Sequence, residues 1–184
     1  RAFSSSTGSP ISTLATATDG SLLALGDYDG TIRLLNPETM RFGESTEIDG
    51  AITALEIAPG GEWIAASTTS GVVIAFSASD LSETWAVNEE VGIGSVAISP
   101  DGAYVAAGLQ NGVIRVFDAG SGDLEHEFTA HDGLVTALAF TDSSLISGGL
   151  DRRVHEWDHL SGEALQMLSG HGGEVVSITD SRSY

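Results

Sequence analysis

Asp29-Gly-Thr-Ile-Arg-Leu-Leu-Asn36, Ser70-Gly-Val-Val-Ile-Ala-Phe-Ser77, Asn111-Gly-Val-Ile-Arg-Val-Phe-Asp118 and Asp151-Arg-Arg-Val-His-Glu-Trp-Asp158 are four versions of one turn and strand, 40 or 41 residues apart. A repeat of that period means that each unit is a supersecondary element burying its apolar faces against its neighbours. A second marker keeps the same phase upstream: Thr18-Asp-Gly20, Ala58-Pro-Gly-Gly61, Ser99-Pro-Asp-Gly102 and Thr141-Asp-Ser-Ser144. Gly, Pro and Asp in such clusters favour tight turns.

Short apolar runs flank each upstream turn, such as Ile93 to Ile98 and Tyr104 to Ala107. A more polar fourth run closes each unit: Glu44 to Ile48, Thr84 to Val87, Leu124 to Phe128 and Ala164 to Leu168. Segments this short, rich in Val, Ile, Ala and Thr and punctuated by turns, predict an all-β chain. The inner runs are almost continuously apolar, as strands covered on both faces are. Helical periodicity is absent. Each unit therefore reads as a four-stranded antiparallel blade of a β-propeller, with the polar strand on the outer rim. The phase places a flexible segment at 1–10, blades at 11–50, 51–91, 92–132 and 133–172, and the opening strand of a fifth blade within 173–184.

The fourth unit holds His131, Ser147, Asp151 and Trp157-Asp158. With these residues the chain resembles the WD-repeat β-propeller family. Ala130-His131 stands where the family has Gly-His, Ser147-Gly-Gly-Leu-Asp151 is similar to its turn motif, and Gly170-His171 resembles the start of a fifth unit. The resemblance implies that His131, Ser147, Asp151 and Trp157 form a buried, hydrogen-bonded structural tetrad. The first three units put Leu35, Phe76 and Phe117 in place of the Trp. Closed rings of the family resemble wheels of six to eight blades. Four units thus imply an open arc, completed by further blades of a longer chain or by other copies of this one.

Three patterns imitate chemistry. His155-Glu-Trp-Asp-His159 has the spacing of a zinc-protease motif, which needs a helix to bring residues four apart within about 6 Å. On a strand the same spacing covers about 13 Å, too far for one zinc. Ser147, His131 and Asp151 match a hydrolase triad in type, but no strained Gly-x-Ser-x-Gly elbow surrounds Ser147. Asp27-Tyr-Asp29-Gly30 lacks the third carboxylate and downstream Glu of a calcium loop. No catalytic residue, metal site or cofactor is therefore expected.

Acidic residues number 26 against seven basic ones, all Arg, for a formal charge of −19. Phosphate backbones and anionic lipid need a basic footprint, so direct nucleic-acid binding is not expected. The apolar runs are too short for membrane insertion. There is no Cys, which excludes disulfides and thiolate chemistry. Absent Lys with abundant Asp, Glu, Ala and Gly resembles the composition of salt-accumulating halophiles, and a cytoplasmic setting is expected, with an extracellular one left open.

The family resemblance implies a non-enzymatic scaffold that docks proteins or peptides on the narrow top face. That face is built from the loops joining second to third strands and those entering each blade. By phase its candidate partner-binding residues are Asp27, Tyr28, Thr69, Leu109, Gln110, Asp132 and Leu150. An acidic top face favours basic segments. Two alternatives are a propeller domain of a larger enzyme, quinoprotein-like or hydrolase, and a structural module at the cell surface.

Overall fold

The computed structural model describes residues 8–178. They form four antiparallel sheets, each ordered as its strands follow in the chain. Blade 1 holds β1 (Ile11–Thr16), β2 (Leu23–Asp27), β3 (Thr31–Asn36) and β4 (Arg41–Glu47). Blade 2 holds β5 (Ile52–Ile57), β6 (Trp63–Thr68), β7 (Val72–Ser77) and β8 (Glu83–Asn88). Blade 3 holds β9 (Ile93–Ile98), β10 (Tyr104–Leu109), β11 (Val113–Asp118) and β12 (Leu124–Thr129). Blade 4 holds β13 (Val135–Phe140), β14 (Leu145–Gly149), β15 (Arg153–Trp157) and β16 (Ala164–Ser169). Innermost strands pack in succession, β1 on β5, β5 on β9 and β9 on β13. The chain is a β-propeller arc.

Three apolar clusters fill the three junctions between successive blades. Small side chains let the blades approach closely: Ala24, Ala65 and Ala106 occupy equivalent places in the second strands and are fully buried. Glycine serves the same end. A Cβ on Gly26 would collide with Ile52, and one on Gly108 with Val135, in each case the first apolar residue of the next blade's inner strand.

The turns between second and third strands need Gly30, Gly71 and Gly112 for a further reason. Each has a positive φ, of 87°, 96° and 86°, and a Cβ there would strike the backbone carbonyl of Ile48, Glu89 or His131 in the following connection. Those connections bond back to the glycine carbonyls through Ile48 N–H (3.0 Å), Glu89 N–H (2.8 Å) and Ala130 N–H (2.9 Å). Blade 4 has Arg152 at this position, with φ 65°.

Past blade 4, residues 174–178 lie in the seat of a fifth inner strand. Val175 N–H reaches Gly149 O at 3.4 Å, Thr136 Oγ1 donates to Val175 O, and Val175 covers Gly148 as Ile52 covers Gly26. Residues 179–184 of the expected fifth-blade segment, and residues 1–7 of the flexible segment expected at 1–10, lie outside the described residues.

Candidate functional site: a buried tetrad beneath an uncharged mouth

His131 lies near the start of the connection into blade 4, Ser147 in mid β14, Asp151 at the centre of the β14–β15 turn and Trp157 at the end of β15. Trp157 Nε1 donates to Ser147 Oγ at 2.8 Å. His131 Nε2 meets the same oxygen at 2.8 Å, and His131 Nδ1 meets Asp151 Oδ1 at 2.9 Å. An indole can only donate, and the serine hydroxyl, which accepts from it, has an acceptor for its own single proton in His131 Nε2. His131 Nδ1 then donates to the carboxylate, and every polar atom in the line is satisfied.

Asp151 also accepts from Arg153 N–H at 3.1 Å and Asp132 N–H at 3.2 Å. Burial by itself raises its pKa, but the bonds from His131, Arg153 and Asp132 outweigh that and hold it below the usual carboxylate value. Ser147 is completely buried, so its hydroxyl is closed to substrate.

His155 stands over this network, its ring 4.9 Å from that of His131 and 5.3 Å from that of Trp157. Burial, then the neighbouring His131, lower its pKa from 6.5. Ligand atoms of His131, Asp151 and His155 lie within 4.8 Å of one another. Both ring nitrogens of His131 are engaged, however, so no metal enters without dismantling the tetrad. The sequence reading weighed His155 only against His159, a pair it rejected as too far apart on a strand, and did not place it beside His131 of the tetrad. The inter-blade position of His155 was the available signal.

On the face above, Tyr28, Thr69 and Gln110 occupy equivalent turns and line one cavity of about 280 Å³. Its floor comes from the starts of the inner strands, including Ile52, Thr53 and Ile93, with Leu134 at the blade 4 side. None of the lining residues is charged. Leu134 and Thr53 were not singled out from sequence, although both lie where a connection enters its inner strand.

Leu150 and Asp132 are exposed on the same face, outside this lining. Two sequence candidates are corrected. Leu109 is only 2 % exposed and packs into the junction between blades 2 and 3. Asp27 is 3 % exposed, and its Oδ1 accepts from Asp29 N–H (3.0 Å) and Thr31 N–H (2.9 Å), so the carboxylate holds its own turn. The free positions are one residue further on, where the chain leaves the ladder.

Repeated four-stranded blades radiating from short inner strands, with a Trp–Ser–His–Asp line tying the entering connection to one blade, define a β-propeller of repeat type. The family described as "WD domain, G-beta repeat" matches residues 1–36, and "Anaphase-promoting complex subunit 4 WD40 domain" matches residues 55–143. The chain belongs to the WD-repeat family. It is 40 % identical over 60 residues, 32 % of its own length, to the general transcriptional corepressor TUP1 of Saccharomyces cerevisiae. It is 39 % identical over 54 residues, 29 % of its length, to mitochondrial division protein 1 of the same yeast. The matched segments span 8 % of the length of each relative.

Proposed function

We propose that this chain is a non-enzymatic interaction module that docks a protein or peptide segment over the mouth bounded by Tyr28, Thr69, Gln110 and Leu134. The single observation that supports this reading most is the convergence of equivalent turn residues from three blades on one uncharged concavity. An exposed aromatic, an amide and hydroxyls around an apolar floor suit an extended segment that inserts one apolar side chain and hydrogen-bonds through its backbone.

Charge refines the partner. Asp49, Glu90 and Asp132 are exposed and occupy the same place in three successive connections, three residues before Ile52, Ile93 and Val135. A segment with basic residues on either side of its apolar anchor complements that ring, and salt slows its association. The named relatives act in transcription and in mitochondrial division, two unlike processes, so neither process is carried over. The interior position of Ser147 and the engaged nitrogens of His131 support a structural rather than a catalytic part for the tetrad.

The test is selection of short peptides from a random library on the immobilised chain, followed by titration of the winners. Tyr28→Ala and Gln110→Ala are expected to weaken each by about tenfold or more, while Leu160→Ala, on the opposite side of blade 4, leaves binding unchanged. Winners that bind Tyr28→Ala as well as the parent would sink the assignment of the mouth.

A further inference from the structure

Blade 1 and blade 4 each turn one face away from the arc, and the two faces are complementary. Ile11 is 48 % exposed where its equivalents Ile52, Ile93 and Val135 are 1 %, 0 % and 0 % exposed. Leu14 is 54 % exposed where Leu55, Val96 and Leu138 are each 8 % exposed. These side chains lie where an adjoining blade covers every counterpart.

A cation lies beside them. Arg33 pairs with Leu25 in the ladder as Arg115 pairs with Ala107, so the two arginines are equivalent. Arg115 Nε donates to Glu127 at 2.7 Å, and its Nη1 meets the buried Glu89 in the connection from blade 2. Arg33 faces Ser45 in its own sheet rather than a glutamate, and its Nε is buried with no hydrogen-bond partner. A buried guanidinium N–H without an acceptor is costly, and a carboxylate is its best complement.

The far face of blade 4 carries that carboxylate. Glu156 stands opposite Ile146 in the ladder, where the other blades place Leu34, Ala75 and Val116, all buried in junctions. Val154, incompletely covered, replaces the fully buried Ile32, Val73 and Ile114, and Leu168 beside it is exposed. Within the chain the positions equivalent to Glu156 and Arg33 across a junction are Leu34 and Ile74, members of one apolar cluster.

We propose that a second copy of this chain docks head to tail, its blade 1 against blade 4 of the first, with Arg33 of one copy paired to Glu156 of the other. Ile11 then takes the seat on Gly148 now held by Val175, and residues 174–178 are displaced. The contact repeats the chain's own internal junctions and is heterologous, so two copies either close a ring or extend.

The experiment is sedimentation velocity on the full chain over a concentration series at one fixed salt concentration, after circular dichroism has shown each variant folded. The parent is expected to associate. Arg33→Glu and Glu156→Arg each weaken association about tenfold or more, and the double variant recovers it. Arg33→Gln and Glu156→Gln serve if a reversed chain fails to fold, and each is expected to weaken association. Val175→Asp, which vacates the seat, tightens it. A single-chain mass throughout for both the parent and Val175→Asp overturns the proposal. So does association indifferent to either charge, or a double variant no better than the singles.

Discussion

Trp157 and Ser147 share a hydrogen bond of 2.8 Å in which the serine oxygen is acceptor for the indole and neighbour to His131 Nε2 at once. Removing that oxygen strands two buried groups, not one. Ser147→Ala is expected to cost about 1–3 kcal/mol in denaturant unfolding. Trp157→Phe, which removes only the donor, costs less for hydrogen bonding. The double variant is expected to be markedly less destabilised than the sum, because the shared bond is counted twice. Additive losses would show that the tetrad is not coupled.

Acid sensitivity should come in two steps. The folded-state pKa of His155 is lowered, so the unfolded chain binds that proton more readily. Stability is then fully present above about pH 6.5 and lost as pH falls through the lowered value. Asp151 is also depressed, and its contribution is present above about pH 3.9 and lost as pH falls through its folded value. Thermal melts against pH are expected to lose the upper slope in His155→Phe and to keep it in Asp151→Asn.

Two glycines separate close approach from mere absence of a side chain. Gly108→Ala drives a methyl group into Val135 across the blade 3–4 junction, and is expected to destabilise by about 1–3 kcal/mol. Gly43→Ala in β4 meets nothing nearer than 3.8 Å and should be neutral or slightly stabilising. Equal midpoints for the two variants would contradict the tight junction.

Arg152 holds a left-handed conformation, φ 65°, that Gly30, Gly71 and Gly112 adopt in the other blades. Arg152→Gly is expected to raise stability by up to about 1 kcal/mol, since the relieved side-chain strain exceeds the added freedom of the unfolded chain. A lower melting temperature would contradict this.

With a formal charge of −19, the folded chain repels itself at low ionic strength. Its melting temperature should climb steeply as KCl is added over the range in which the Debye length contracts from about 30 Å to about 3 Å. A flat profile would show that the acidic groups are spaced too widely to matter.

The sequence alone determined the blade, because an antiparallel sheet with both faces covered leaves a local record. Turn chemistry recurs at fixed phase, and inner strands such as Val135 to Phe140 are apolar almost throughout. The tetrad was legible only through the resemblance of the fourth unit to the WD-repeat family, since the first three units carry Leu35, Phe76 and Phe117 in place of Trp157. Exposure at the top face was legible only to within one residue. Leu109 and Asp27 end strands whose last side chains turn into a junction or a turn, whereas Gln110 and Tyr28 stand free. Only the tertiary structure decided which blades meet, and so that His155 lies on His131, that Arg115 has two carboxylates and that Arg33 Nε has none. The pairings of His155 with His131 and of Arg115 with Glu89 join residues 24 and 26 positions apart, each between a blade and the connection that enters it, whereas Glu127 lies 12 residues from Arg115 on the next strand of the same blade. The first two are set by how one twisted sheet lies on the next, which no local pattern in the chain encodes.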